Sequence, residues 1–581
     1  MPLTRHADAP PSPWPRPASA LRHVIAEGYS RKMLRADLLA GAVVGIVALP
    51  LSMALAIASG VPPQHGLYTA IVAGGLIPLL GGSRFQVSGP TAAFVVILSP
   101  ISHHFGIGGL ALASLVAGLL LFAMGVLRMG RMIEFVPYPV TTGFTTGIAV
   151  VIATLQLRDL LGLEIDHMPE HFVERVQAIA LAAPSLHLPD LEIGLVTLAV
   201  LALWPRIDRR IPAPLAALAI GATAAALAGW LVPGFEAATI ASRFEYSLGG
   251  RVGRGIPPLP PLPLLPWTLP GADGRPIGLS VALLRELLPA GFAIAALGAI
   301  ESLLSAVVAD GMTGRKHDPD AELMAQGTGN LIAPFFGGFA ATGAIARTAT
   351  NIRSGARSPI AAFVHALVAL AAVVLIAPLL GRLPMASLAA LLLFVAWNMA
   401  ELDHFAHVLK VAPRSDVAVL LTCFLLTVVV DMVMAVSVGV VMAALLFMRR
   451  MAEVSSVRLV DEHPMGLTRK LPKGVVAYEI AGPLFFGAAQ KAMAALQSVD
   501  KGVRLVILDL RSVPALDATG LVGLESAFER LHRGGVMVVL GGVQQQPLRA
   551  MARAGWTDRK GRVAVYSSFE HAVEEVRKAF E

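Results

Sequence analysis

Apolar runs recur from about residue 38 to about residue 448, most of them long enough to span a bilayer or nearly so. Polar positions collect between the runs. The turns at 59–66 and 104–109 carry no Lys or Arg. Arg22, Arg31, Lys32 and Arg35 precede the first run, and Arg128 with Arg131, then Arg206, Arg209 and Arg210, fall between later ones. Arg315 with Lys316, Arg353 with Arg357, Lys410 with Arg414, and Arg449 with Arg450 complete the series. Basic groups after every second run are the positive-inside pattern and put both termini in the cytoplasm. On that spacing the chain holds about fourteen segments, several too short to cross alone. Longer outside loops are expected near 158–190 and 233–282.

After Arg450 the period changes. Strand-like runs at 474–480, 504–510, 536–542 and 562–568 alternate with helical ones at 488–499, 520–532, 546–555 and 569–580. Alternation of this kind predicts a small α/β domain with helices packed on a sheet. The expected organisation is a cytoplasmic N-terminal tail (1–36), an all-α polytopic transmembrane domain (37–452) and a cytoplasmic α/β domain (453–581).

Composition agrees. Of 581 residues, 55% are hydrophobic and only 15% charged, against about 25% charged in soluble domains. Mean hydropathy is +0.69. The first residues hold Pro10, Pro11, Pro13, Pro15 and Pro17 and no continuous apolar core. A disordered tail is expected there, with no cleavable signal peptide. The net charge of +7 follows from the placement of the basic groups and does not suggest nucleic acid. Cys423 is the only cysteine, so disulfides play no part.

Two of the runs are broken in the same way. Gly81–Ile97, GGSRFQVSGPTAAFVVI, and Gly337–Ile352, GGFAATGAIARTATNI, each open with Gly-Gly, continue extended, then begin a helix on small residues. They stand third in the first seven segments and third in the second seven. Discontinuous helices at matching positions point to an inverted repeat with a site at its centre; loop-to-helix junctions at the membrane surface are the plainer alternative. Half-helices starting at Thr91 and around Ala344 would bring two positive helix ends together, a place for an anion. Arg347, one turn into the second, adds a charged planar fork that holds an anion or is neutralised by a fixed carboxylate. The candidate carboxylate is Glu301, preceded in the run from Leu288 by thirteen uncharged residues. Acids placed so deep are costly and usually functional. Deprotonated Glu301 would neutralise Arg347 in the empty site, and protonation would free Arg347 for the substrate, coupling anion to proton. A permanent ion pair locking two helices is the alternative.

Other polar residues carry less. His103 and His104 read as surface histidines, Asp431 as a turn or helix cap. Gln326 and Asn330, at i, i+4 spacing, position the second half-helix or make packing contacts. Thr519, in Asp517-Ala518-Thr519-Gly520, is expected at or near a helix N-terminus, as a cap or a phosphorylation site. No metal-ligand cluster, nucleophile motif or phosphate loop suggests an enzyme, and no cofactor is expected.

With these stretches, 37–70, 81–98 and 298–314 make the chain resemble the SulP family of anion transporters from end to end, with a STAS domain at about 460–581. The resemblance implies seven plus seven segments in inverted repeat, with a core domain moving past a gate domain in a homodimer. It implies an anion at Thr91, Ala92, Ala344, Ile345, Ala346 and Arg347, walled by Pro50, Leu51 and Leu55. Some relatives have glutamine or phenylalanine in that wall. Glu301 matches the family's acidic coupling position, an aspartate in some sodium-coupled members, so a proton is expected rather than sodium. Stretches such as VVADGMTGRKH and GPLFFGAA resemble the dicarboxylate-transporting bacterial members, which implies inner-membrane uptake of succinate, fumarate, malate or aspartate. Bicarbonate or sulfate transport, and a membrane-bound scaffold acting through the STAS domain, are the alternatives. The family further implies acyl carrier protein as a partner. In the antagonist proteins that STAS domains resemble, a serine stands where this chain has Thr519.

Overall fold

The computed structural model describes residues 16–131, 137–165, 168–169, 171–208, 211–248, 251–454, 456–459, 471–485, 502–556 and 563–580. Residues 1–15, with Pro10, Pro11, Pro13 and Pro15 of the expected tail, and the helical run expected at 488–499 lie outside them. The chain forms two compact units, Met1–Val440 and Val441–Glu581.

The first unit is helical. In chain order its helices are α1 (Ser19–Glu27), α2 (Arg31–Ala58), α3 (Pro63–Leu80), α4 (Ala92–Val126), α5 (Tyr138–Leu160), α6 (Phe172–Leu181), α7 (Leu188–Ile207), α8 (Ala213–Leu231) and α9 (Ile240–Arg243). Then follow α10 (Val281–Thr313), α11 (Pro319–Ile332), α12 (Ile345–Arg353), α13 (Ile360–Leu380), α14 (Met385–Ala400), α15 (Leu402–Val411), α16 (Arg414–Val429) and α17 (Met432–Val454), in which the unit boundary falls. Nine helical stretches among the described residues are long and apolar enough to cross a membrane. The turn expected at 104–109 is instead a kink within α4 at Gly106 (φ 66°), where a Cβ would strike the Gly271 backbone at 2.3 Å. With α4 divided there, seven segments (α2, α3, the two parts of α4, α5, α7 and α8) precede the loop 232–280, and seven (α10–α14, α16 and α17) follow it.

The broken segments meet. Strand β1 (Ser88–Gly89) leads into α4 and pairs antiparallel with β4 (Thr342–Gly343), which leads into α12. Between them, β2 (Glu245–Leu248) and β3 (Arg251–Arg254) form a hairpin in the second outer loop. Asp431 caps α17 by accepting the Met434 N–H at 2.8 Å. His103 and His104 lie exposed on α4.

Within the stretch assigned to the tail, α1 is helical and its first turn is tied to the end of α3 through the Leu80 and Gly81 carbonyls. Its last residue, Glu27, accepts hydrogen bonds from Arg84 and Arg315. The Arg84 hydrogen bonds, with the charges of both arginines, pull the Glu27 carboxyl from 4.5 down to about 2. A depressed folded-state value stabilises above the unfolded one, so the clamp is complete above pH 4.5 and fails as pH falls toward 2. Glu27→Gln should expose Arg22 to trypsin at neutral pH, and acid should do the same to the wild type.

The second unit is a five-stranded sheet in the order β5 (Ser456–Leu459), β6 (Val475–Ala481), β7 (Leu505–Ser512), β8 (Met537–Gly541), β9 (Val563–Tyr566). β5 runs antiparallel to β6 and the other pairs are parallel. Alternation along β7 sends Val506 and Leu508 to one face and Leu505 and Ile507 to the other. The first face is covered by Ala518–Arg533 and Gln545–Arg553, the second by Phe569–Phe580. The cap of Ala518–Arg533 is Asp517, whose carboxylate accepts the Gly520 N–H at 2.7 Å. Thr519 is therefore not the cap, because it already lies inside the first turn, where its side chain is exposed.

Candidate functional site

The sequence requires glycine where the two strands cross. A Cβ on Gly89 would stand 2.8 Å from Nη1 of Arg347, and one on Gly343 would stand 2.3 Å from Nε2 of Gln86. Beyond the crossing, α4 and α12 begin without a side-chain cap, at Thr91 and Ala344. Their first N–H groups thus keep their donors for a ligand.

Arg347 is 3% exposed. Its Nη2 donates to the Pro90 carbonyl, while Nε and Nη1 have no partner. Buried polar groups are nearly always satisfied, so two unpartnered guanidinium donors beside two uncapped helix ends have the chemistry to receive an anion. The carboxylate of Glu301 does not bind Arg347, and no ion pair joins them. It accepts the Thr91 hydroxyl hydrogen at 2.8 Å. This corrects the expected pairing: the hydroxyl at the start of α4 lies closer to the carboxylate than the guanidinium, which β1 draws toward Pro90. Both charges still belong to one site.

Ala92 and Ala344 are nearly buried, whereas Ile345 and Ala346 are open. Of the expected wall, Pro50 and Leu55 are packed into the core, and Leu51 alone of the three keeps partial exposure.

One helix face positions the site. Asn330 of α11 donates to the Ala341 carbonyl at 2.9 Å and accepts the Ala341 N–H. Gln326, one turn earlier, donates to Ser88 Oγ at 2.9 Å. So these two residues hold both strands, not only the second half-helix. Glu322, a turn earlier again, was not singled out in the sequence. It is 1% exposed and accepts from the Gly82 and Ser83 amides at 3.0 and 3.1 Å and from Gln86 at 2.9 Å. Its four-residue spacing from Gln326 and Asn330 is the signal that finds it. Glu322→Ala strands these donors at a cost of about 1–3 kcal/mol each. The variant should lose its cooperative thermal transition and elute as aggregate, whereas Asn330→Ala should remain folded.

Fold and site define a multi-pass anion transporter rather than an enzyme. Residues 34–423 match the sulfate permease family and residues 468–572 the STAS domain. The chain belongs to the sulfate permease, or SulP, family. It is 38% identical over 539 residues to the putative sulfate transporter YvdB of Bacillus subtilis (strain 168), covering 92% of this chain and 96% of that one. It is 29% identical to the bicarbonate transporter BicA of Picosynechococcus sp., covering 85% and 86%. Among solved structures, murine Slc26a9 in the inward-facing state shares the fold, with TM-score 0.81 at 20% identity over 97% of this chain and 94% of that one. The transmembrane domain of a cyanobacterial BicA matches with TM-score 0.57 at 26% identity, over 71% and 98%.

Proposed function

We propose that the protein imports C4-dicarboxylates (succinate, fumarate, malate or aspartate) together with protons across the bacterial inner membrane. The observation that supports this reading is the buried Arg347 guanidinium, with Nε and Nη1 unpartnered between two uncapped helix starts and Glu301 on Thr91 beside it. One carboxylate of the substrate binds the arginine fork, and the helix ends meet the remaining charge. With Glu301 ionised, the empty site carries Arg347 and Glu301 and is neutral. Protonated Glu301 no longer balances the charge of Arg347, which then favours the anion, so proton and anion cross together. A carboxylic acid that exchanges a proton suits this role better than sodium coordination.

The resemblance of VVADGMTGRKH and the neighbouring stretches to dicarboxylate-transporting members favours that substrate. Sulfate or bicarbonate is the second reading, favoured by the names that the relatives carry. Both termini are cytoplasmic in this proposal, and the protein works as a homodimer. Acyl carrier protein as a STAS partner and phosphate on the exposed Thr519 belong to the same proposal.

Labelled succinate in proteoliposomes tests it. Uptake should rise with an inward proton gradient and fall with unlabelled fumarate. Movement of labelled sulfate or bicarbonate in place of succinate would replace the substrate, and no movement of any of them would favour the scaffold.

A further inference from the structure

His365, on α13, is completely buried, and neither ring nitrogen has a hydrogen-bond partner. A neutral imidazole presents one donor and one acceptor, whereas an imidazolium presents two donors. The surroundings supply acceptors. The Ala362 carbonyl, one turn back, lies beside the ring but outside hydrogen-bonding geometry. Across α3, a Cβ on Gly74 would lie 3.0 Å from the Ser88 carbonyl oxygen and 3.3 Å from Cε1 of His365. The glycine lets the ring and the carbonyl both approach the same point on α3. The Ser88 and Ala362 carbonyls are acceptors that suit a ring carrying a second proton.

The charged group that reaches His365 is Arg347, on the other side of β1. α2 meets α13 through Gly41 and Gly45, and its buried acid, Asp37, is taken up by the Arg357 and Ser358 amides at the start of α13. The titratable groups of α3, His65 and Tyr68, bind the Gly337 and Leu259 carbonyls toward its N-terminal end. Beyond Arg347, on the α4 side, stands Glu301 on Thr91.

Charge counting gives His365 a task, and it rests on the proton-coupled dicarboxylate reading. The empty site is neutral, with Arg347 positive and Glu301 negative. A dicarboxylate that enters with Glu301 protonated leaves one net negative charge, which is costly to carry through the low-dielectric interior. A proton on His365 restores neutrality. We propose that His365 is a second proton-binding residue of the transport cycle, protonated when a doubly charged anion occupies Arg347. Anion and proton then favour each other reciprocally.

Succinate accumulation in proteoliposomes, with the membrane potential clamped to zero and a pH difference of about one unit, counts the protons. Two protons per succinate allow accumulation of about 100-fold, one proton about tenfold. The wild type should approach the higher limit and ignore an imposed potential. His365→Gln and His365→Asn should stop near tenfold and slow when the interior is made negative. Counterflow, in which no empty carrier returns, reports whether each variant site is folded. A wild-type limit near tenfold overturns the assignment without any variant. Variants that keep the 100-fold limit also overturn it, while leaving proton coupling intact. Wild-type protein that moves no succinate with protons defeats the dicarboxylate reading first, and this inference with it.

Discussion

Arg347→Gln should lose anion uptake by about 30- to 5,000-fold at limiting substrate, the equivalent of about 2–5 kcal/mol for truncating one member of a buried charge pair. The expectation follows from what surrounds the guanidinium. It lies one turn inside α12, nearly inaccessible, with one nitrogen on Pro90 and two without partners. The next arginine of α12, Arg353, stands almost two turns further along. Arg347→Lys separates charge from shape, because lysine keeps the charge but not the planar fork. Its loss should be smaller and fall mainly on KM. Gly89→Ala, whose Cβ would stand 2.8 Å from Nη1, should weaken uptake in the same direction by displacing the arginine rather than replacing it. Initial rates of labelled uptake against concentration check all three. Uptake by Arg347→Gln within a factor of about three of wild type would place the anion elsewhere, since so small a change is about 0.65 kcal/mol.

The half-helices were legible because small residues after an extended stretch have one economical use inside a membrane. Backbone broken at that depth must be satisfied by protein or a cavity, and the pairing of Ser88–Gly89 with Thr342–Gly343 does so. Gln326 and Asn330 were legible by spacing. Glu322 was hidden by its setting: beside Asp318 and Asp320 it reads as ordinary acid at the start of a helix, and indeed Asp318 caps α11. The hydrogen bond between Thr91 and Glu301 was not legible, since sequence supplies opposite charges but not which neighbour lies closer. Asp517 and Thr519 are both good caps by residue type, and only the backbone decides between them. A single histidine in the apolar run of α13 gives no partner to read; its meaning comes from Gly74 and Ser88, distant in sequence. The interruption near 106 was visible as glycine-rich, yet a single residue in a positive-φ conformation there bends α4 instead of ending it.

Glu301→Gln should stop net succinate uptake, with or without a proton gradient, while exchange of succinate for succinate persists at a reduced rate. Glutamine imitates the protonated acid, so the loaded site still offers Arg347 to the anion. The empty site differs. Without a carboxylate beside Thr91, Arg347 must return across the membrane uncompensated. A lone charge at the bilayer centre costs about 2.5–3.5 kcal/mol on the lenient scale, which slows the return by about 70- to 400-fold. Net uptake requires that return and exchange does not. Proteoliposomes preloaded with unlabelled succinate separate the two, because labelled substrate then enters by exchange alone. His365 remains able to bind its proton in this variant, so the lost step is the return of the empty carrier and not proton binding in general. A Glu301→Gln protein whose net uptake still follows the proton gradient would remove Glu301 from the coupling. Loss of exchange as well, in a protein that elutes as folded, would instead make the carboxylate part of the anion's own binding.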